Sequence, residues 1–329
     1  MDFDQPGMFT RADALASGYT DDDLRRSRAD RTVLSIRRGY FVRSAVYRTL
    51  DSSAQHLLLA KAVLSDSADD AVLSHVSAAV LHGMPVWGIA LDKAALTIGR
   101  SYASKRGRRR ILHGTRLLDS DRMIIDGVPV TVPARTVIDL ARAEGVEQAV
   151  CVGDHALHSG LTTAFELAEA IDDAAGRTGV GRARHAVGLM SSRSESVGES
   201  RSRLLFHNLG LPTPLLNQWV HDDSGAFVGR VDFLFPDGVI GEFDGEGKYE
   251  SNPVRAVIDE KNRQNRLHDL GWVVVRWDWR DLSKPDVLVE RLHGAFRRAE
   301  TRGAPIGTYR SNLLPQSESE PPAGGSDPN

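Results

Sequence analysis

The chain has 329 residues, of which 41% are hydrophobic and 26% are charged, and its formal net charge is −3. This length predicts about two domains, and the composition excludes a wholly disordered chain. The one cysteine, Cys151, excludes an internal disulfide and a multi-cysteine metal site. No apolar run is long enough to span a membrane and the N-terminus has no signal-like stretch. We therefore expect a cytoplasmic protein without a membrane partner.

Positive charge is concentrated in two segments despite the slightly acidic total. Residues 25–48 carry eight arginines against one aspartate, and residues 100–116 carry seven basic residues and no acid. Because nucleic acid responds to local basic patches, the net charge does not exclude a polyanionic partner. The alternative is that these side chains form solvated surfaces.

Residues 1–50 predict a winged helix-turn-helix, a domain that binds double-stranded DNA. Thr10 and Thr20 are each placed to cap a short helix, and TVLSIRRGYFVR at 32–43 predicts two strands joined by a turn. In such a domain the second helix enters the major groove and the hairpin contacts phosphate. The candidate DNA-binding residues of this segment are Arg25, Arg26, Arg28, Arg31, Arg37 and Arg38.

Residues 51–195 predict an α+β middle domain that ends in a linker. Two apolar helices, AQHLLLAKAVLSDS and AVLSHVSAAVLHG, precede a region of strands. Within that region Asp126 and Gly127 stand between two apolar runs, which predicts a two-residue hairpin turn. Further helices are expected at 134–143, 146–158 and 162–175.

Residues 196–300 predict a third domain with the element order α-β-β-β-α-β-α. Residues 301–329 hold five prolines among glycine, serine and acidic residues, which predicts a disordered tail. The expected architecture is therefore a multidomain α/β protein.

Two carboxylates are predicted to face each other across a β-hairpin in this third domain. The PDG sequence at 236–238 suits a three-residue loop, which pairs Phe235 with Val239. Counting back from that pair places Asp232 opposite Glu242, about 5 Å away. At an effective dielectric near 20 their repulsion is roughly 3 kcal/mol. A hard divalent cation such as Mg²⁺ would reverse the sign of that cost.

Alternation along the two strands gives the hairpin a polar face and an apolar face. Asp244 falls on the same face as Asp232 and Glu242, together with Leu234 and Ile240. The opposite face, which can pack against a helix, holds Phe233, Phe235, Val239 and Phe243. The alternative is a solvent-facing hairpin with acids at its exposed end.

Residues 196–298 resemble the PD-(D/E)XK nuclease superfamily, and most closely the branch related to very-short-patch-repair (Vsr) endonucleases. The resemblance rests on VDFLFP, GEFDGEGKY, EKNRQNRL and GWVVVRW, in that order. The sequence departs from the superfamily motif at one position. The motif usually has a lysine two residues after its glutamate, but in this chain the residue two positions after Glu242 is Asp244. Lys248 and Lys261 are the candidates to replace that lysine.

The resemblance implies a restriction-endonuclease-like αβββαβ domain that hydrolyses DNA phosphodiester bonds with Mg²⁺ or Mn²⁺. Asp232 and Glu242 would bind the ion with the carbonyl of Phe243, and Asp244 is a further candidate ligand. The ion would polarise the scissile phosphate and lower the pKa of a bound water.

The same resemblance gives roles to four other side chains. Lys248 would stabilise the attacking hydroxide, and Glu199 would orient a water or complete the site. The alternative for Glu199 is a surface acid paired with Arg203. Arg263 and Arg266 share a helix face and would hold phosphate, unless they are simply solvated.

Residues 7–160 resemble the AbiEi family of type IV toxin–antitoxin antitoxins. GMFTRADALASGYTDDDLRRSRADRTVLSIRRGYFV is similar to its winged helix, and SHVSAAVLHG and GVPVTVPARTVIDLAR are similar to phrases of its following domain. The resemblance implies that the first domain binds operator DNA and represses its own operon. It also implies that the following domain takes part in neutralising a nucleotidyltransferase toxin.

Two hypotheses follow from the sequence. In the first, the winged helix delivers the chain to DNA and the carboxylate hairpin cuts it in a metal-dependent reaction. In the second, the protein is an antitoxin-like transcriptional repressor whose nuclease-like domain is catalytically inactive. The missing motif lysine favours the second hypothesis, and the clustering of Glu242, Asp244 and Lys248 after Asp232 favours the first.

Overall fold

The computed structural model describes residues 7–99, 104–245 and 253–311 of this mixed α/β protein. The chain divides into two compact units, Met1–Ser200 and Arg201–Asn329. The division falls inside a helix, a few residues after the boundary predicted between residues 195 and 196. Every helix in the described ranges is too short or too polar to cross a membrane.

The first unit begins with a small antiparallel sheet and two short helices. Its strand order is β1-β3-β2. Thr10 and Thr20 make the predicted capping boxes, with Asp13 and Asp23 as their reciprocal partners. The elements are β1 (Phe9–Thr10), α1 (Arg11–Ala16), α2 (Asp21–Ala29), β2 (Val33–Arg37) and β3 (Tyr40–Arg43). Their core consists of Phe9, Ala14, Leu24, Val33 and Phe41.

The rest of the first unit is built around a second, mixed sheet with the strand order β6-β7-β5-β4-β9-β8. Asp126 and Gly127 connect its strands β8 and β9 with φ angles of 48° and 76°, which confirms the predicted two-residue hairpin. The elements are α3 (Ser44–Thr49), α4 (Ser52–Ser65), β4 (Ala71–Leu73), α5 (His75–Leu81), β5 (Ala94–Ile98), β6 (Lys105–Arg106), β7 (Arg110–Gly114), β8 (Arg122–Ile125), β9 (Val128–Thr131), α6 (Pro133–Ala143), α7 (Val146–His158), α8 (Ala164–Asp173) and α9 (Val180–Gly188).

The β2–β3 hairpin shares a buried cluster with the region that follows residue 50. Ile36 of β2 and Val42 of β3 belong to the same buried cluster as Leu59, Val63 and Leu96 of the following region. The β2–β3 hairpin therefore has apolar side chains on both faces. One face belongs to the core of the small sheet, and the other packs against the middle region. A local sequence pattern marks a strand as apolar but does not specify which neighbour covers it.

The second unit contains a mixed sheet with the strand order β13-β12-β11-β10-β14, in which β12 and β13 run parallel. The predicted order of elements is confirmed, with a short helix and a last strand in addition. After α10 (Val197–Asn208), which contains the division, the elements are β10 (Leu215–His221), β11 (Phe227–Phe235), β12 (Val239–Phe243), α11 (Pro253–Asp269), β13 (Val273–Trp277), α12 (Trp279–Leu282), α13 (Pro285–Arg302) and β14 (Thr308–Ser311).

Both faces of this sheet are covered by apolar side chains. One face packs on α13, and its cluster includes Phe206, Phe233, Phe235, Val239, Phe243 and Trp277. The other face packs on α11 through Leu267, together with Leu234, Ile240 and Trp272. The predicted apolar face of the hairpin is thus confirmed, and the polar face carries a second apolar cluster beside its acids.

The predicted disordered tail was wrong for residues 301–311. Residues 301 and 302 end α13, and β14 pairs antiparallel with β10 from Gln218 to His221, so that β14 forms one edge of the sheet. The Ile306 amide donates to the Leu270 carbonyl at 2.8 Å, and the Tyr309 ring lies against Trp272. The unpaired backbone N–H and C=O groups at an open sheet edge can pair with a strand of almost any sequence. Amino-acid composition therefore gives little indication of such pairing. Residues 312–329 lie outside the described part.

Replacing Gly241 by alanine tests the packing of the sheet on its α13 side. A Cβ at this position would lie 2.4 Å from Trp277 Cη2 and 3.2 Å from Phe233 Cβ. We expect Gly241→Ala to lower the free energy of unfolding by about 1–3 kcal/mol, because a packed core resists added volume. The measurement is urea unfolding followed by tryptophan fluorescence, since four of the five tryptophans lie in this unit.

The matched control is Gly294→Ala in α13. Its closest contact would be the flexible Arg298 Nη1 at 3.3 Å. Alanine should leave stability unchanged there or raise it by up to about 1 kcal/mol, because it is the better helix former. Equal stabilities for the two variants would contradict close packing of Trp277 on Gly241.

Candidate functional site

The carboxylate hairpin has the predicted register. Phe235 pairs with Val239 and Phe233 pairs with Gly241, so the next pair along the ladder is Asp232 and Glu242. The amide of Phe243 donates to Asp232 Oδ2 at 2.9 Å. The loop chemistry therefore places the two acids as predicted, opposite each other on one face of the sheet.

Glu242 is buried and is enclosed by two arginines. Its side chain is 8% exposed, and Arg276 Nε donates to Glu242 Oε2 at 2.8 Å. Arg276 is the neighbour of Glu242 on the parallel strand β13. On the other side of the carboxylate, Arg263 Nη1 lies 2.7 Å from Glu242 Oε1. This second contact is an ion pair that is close but poorly aligned, because neither atom meets hydrogen-bond geometry.

Glu260 of α11 completes a four-membered ion-pair cluster. It accepts from Arg263 Nε and Nη2 at 2.8 Å each and also pairs with Arg276. Burial opposes the charged form of Glu260, but hydrogen bonds from Arg263 and Arg276 outweigh it and hold its pKa below the usual value. Burial likewise opposes charge on Arg263, and its contacts with Glu260 and Glu242 still raise the pKa of the guanidinium. Glu260 and Arg263 are therefore charged at neutral pH.

This arrangement does not fit a divalent cation at Glu242. Both carboxylate oxygens face guanidinium groups at 2.7–2.8 Å, so an added cation would meet two positive charges at short range. Within the described residues there is also no group of three or more histidine, cysteine or acidic side chains placed to hold a metal. Binding of Mg²⁺ by Glu242 requires Arg263 and Arg276 to move away first.

Among the other predicted catalytic residues, the structure describes Asp244, Lys261 and Glu199. Asp244 is exposed, and its amide donates to the Trp277 carbonyl at 2.8 Å. Lys248 lies outside the described residues, and Lys261 is exposed on α11. Glu199 belongs to the first unit, where it is buried and accepts from Ser196 Oγ at 2.9 Å as a helix cap.

Acids of the protein lie beside Arg263 and Arg266, and Arg266 is also exposed to solvent. Arg266 Nη2 lies 3.0 Å from Asp222 Oδ2, and its Nη1 donates to the Phe227 carbonyl at 3.3 Å. The partners of Glu242 were not predicted from the sequence. The available signal was Arg276, a charged residue inside the otherwise apolar strand WVVVRW.

The arginines predicted to bind DNA form two classes. Arg25 pairs with Asp22 and Arg26 with Asp23, both across one turn of α2. Arg37 is only 22% exposed and lies 3.1 Å from Asp66, which also accepts from the Tyr40 hydroxyl. The second class, which we call the free arginines, is exposed and has no acidic partner in the described part of the chain; its members are Arg28, Arg31 and Arg38.

Glu260→Gln tests the ion-pair cluster through pH. Because the folded pKa of Glu260 lies below its unfolded value, its charge stabilises the fold above the unfolded pKa. That contribution disappears as the pH falls through the folded pKa. We therefore expect wild type to be more stable than Glu260→Gln in urea unfolding at pH 7, and the difference to be smaller at pH 3.

The control for this experiment is Glu290→Gln, an exposed acid on α13. It should leave stability unchanged at both pH values. A wild-type advantage over Glu260→Gln that persists unchanged at pH 3 would show that the charge of Glu260 does not stabilise the cluster.

Comparisons with known proteins identify similar proteins but assign no activity to this chain. No family model matches the chain. Two uncharacterized proteins of Mycobacterium tuberculosis, one from strain CDC 1551 and one from strain H37Rv, are each 31% identical to it over 180 residues. The match covers 54% of this chain and 66% of each relative. The chain is thus similar to these proteins over just under two thirds of their length.

Proposed function

We propose that this protein binds double-stranded DNA through β1–α1–α2–β2–β3. The observation that carries the proposal is the layout of this segment, in which two capped helices precede a hairpin and β1 pairs with β3. A winged helix-turn-helix has the same succession of helix, recognition helix and wing. The second helix, α2, is the candidate for the major groove.

The distribution of charge on α2 supports an orientation on the DNA. Asp21 and Asp22 are exposed at its N-terminus and pair with Arg11 and Arg25. The free arginines lie at the other end of α2 and in the β2–β3 turn. Because phosphate is repelled by acids and bound by unpaired guanidinium groups, that end of α2 and the hairpin would face the backbone.

The biological role that we propose is transcriptional repression of the AbiEi antitoxin type, with a nucleotidyltransferase toxin as the protein partner. The resemblance of residues 7–160 supports this role. In the second unit, the ion pairs of Glu242 with Arg263 and Arg276 favour a nuclease-like domain that does not cleave. Such a domain would serve as a further binding module.

Substitution of the free arginines tests DNA binding. We expect Arg28→Ala combined with Arg38→Ala to weaken binding of a duplex taken from upstream of the protein's own coding sequence. The slope of log K against log salt should fall by about 0.9 for each phosphate that the double variant no longer neutralises. Fluorescence anisotropy of the labelled duplex at several salt concentrations measures both quantities.

Arg184→Ala is the control, because Arg184 is an exposed arginine on α9 away from this segment. It should bind DNA with the wild-type affinity and salt slope. Equally weakened binding in the control and in the double variant would contradict a specific role for the free arginines. Wild-type affinity in the double variant would refute the proposed surface.

A metal-dependent endonuclease is the second candidate function. The register that places Asp232 opposite Glu242 on one face favours it. The contacts of Glu242 with Arg263 and Arg276 oppose it, because an ion at Glu242 would have to displace both guanidinium groups.

Nicking of supercoiled plasmid in Mg²⁺ or Mn²⁺ separates the two candidates. Because Arg263 and Arg276 occupy the carboxylate of Glu242, we expect wild type to nick DNA no faster than Asp232→Ala or Glu242→Ala prepared in parallel. Nicking by wild type that both substitutions abolish would establish the nuclease and refute the inactive domain. Agarose gels of open-circular and linear DNA over time give the rate.

A further inference from the structure

A pocket in the first unit is lined by histidine and arginine side chains that the DNA-binding proposal does not use. Its volume is about 320 Å³, which is within the range of small-molecule sites. It lies where α5, β7 and α6 meet the segment before α9. The residues that matter for the argument are His75, His113, Asp139, Arg142, Arg177 and Thr178.

Two stacked histidines form one wall of this pocket. The rings of His75 and His113 are nearly parallel, at 13°, with centroids 3.7 Å apart. His75 begins α5 with a φ of 49°, an uncommon backbone conformation for a residue other than glycine, which favours a functional constraint here. Burial, followed by the neighbouring His75, lowers the pKa of His113 to about 3. Burial also lowers the pKa of His75. Both rings are therefore neutral and can donate hydrogen bonds at physiological pH.

The acid in the pocket is already neutralised. Asp139 Oδ2 accepts from Arg135 Nε at 2.8 Å, and its Oδ1 accepts from Arg142 Nη1 at 3.0 Å. Arg135 also lies 2.8 Å from Asp121, so these two acids are balanced by two arginines. Asp139 therefore leaves no net negative charge at the pocket.

Arg177 adds a further positive charge to the two acids and two arginines that already balance each other. It is half-buried in the pocket wall and has no ion-pair partner among residues 7–99, 104–245 and 253–311. Its burial, and then the charge of Arg135, lower its pKa, although the nearby Asp139 acts in the opposite direction. Arg135 Nη2, a buried donor of the same cluster, also has no hydrogen-bond partner in the described residues.

The arrangement favours an anion over a metal ion. The ring nitrogens of two parallel, stacked imidazoles point along separate planes and cannot converge on one ion at about 2.1 Å. The arginines around the rings would repel a cation. A tetrahedral oxyanion, in contrast, accepts hydrogen bonds from guanidinium and imidazole groups together.

We propose that this pocket binds a phosphate group, either as inorganic phosphate or as the phosphate of a small monoester such as a nucleoside monophosphate. Arg177 is the main charge partner, and the histidine pair and Arg142 complete the recognition. The site is separate from the proposed DNA-binding segment, so either proposal can fail without the other.

Isothermal titration calorimetry of the full chain with inorganic phosphate and with adenosine monophosphate, at constant ionic strength, tests the proposal. We expect saturable binding of at least one of them, and an affinity at least about ten-fold lower in Arg177→Gln, since this variant cannot make the charge-assisted hydrogen bond. Arg184→Gln, an exposed arginine on the neighbouring helix α9, should bind as wild type does. Equal affinities for the two ligands indicate recognition of the phosphate alone, and tighter binding of the nucleotide indicates recognition of the ester.

A second measurement separates binding at the pocket from binding elsewhere. A bound phosphate should raise the pKa of His113 from about 3, which imidazole NMR signals report during a pH titration with and without ligand. Absence of saturable binding by both ligands, or wild-type affinity in Arg177→Gln, would overturn the proposal. An unchanged His113 titration at saturating ligand would overturn it as well.

Discussion

The carboxylate of Glu242 imposes the main electrostatic constraint on the second unit. A buried anion costs several kcal/mol unless opposite charge lies beside it. Arg276 supplies that charge from the adjacent strand and Arg263 from α11, so the ion pairs fasten the helix and strand to β12. Glu260 balances the second arginine and keeps the cluster near neutrality. The charge of Glu242 is thereby balanced by groups of the protein itself.

The first unit has a similar buried acid but a different balance of charge. Asp139 is also buried between two arginines, Arg135 and Arg142. Its cluster keeps one further guanidinium, that of Arg177, without a partner in the described residues. The surplus charge explains why this pocket suits an added anion, whereas the balanced cluster around Glu242 resists an added cation. This difference in charge balance therefore favours phosphate at one site and opposes Mg²⁺ at the other.

Much of the local structure could be predicted because its causes lie within a few residues. The capping boxes of α1 and α2 need only a threonine and an aspartate three positions apart. The loop at 236–238 fixes the register that brings Asp232 opposite Glu242. The partners of Glu242 could not be predicted in this way, because Arg276 reaches it through parallel pairing and Arg263 through helix packing. The strand β14 was missed because a sheet edge pairs through backbone groups.

Residue type and spacing alone were enough to predict the element order of the second unit, the helix caps, the two hairpin turns and the polar and apolar faces of the hairpin. These features depend on interactions over short distances along the chain. The folded arrangement was needed to show which charge neutralises each buried acid, and that Ile36 and Val42 share a core with the middle region. Alternation of polar and apolar residues sets the side of a strand on which a side chain lies, but the partner it meets depends on how distant segments pack.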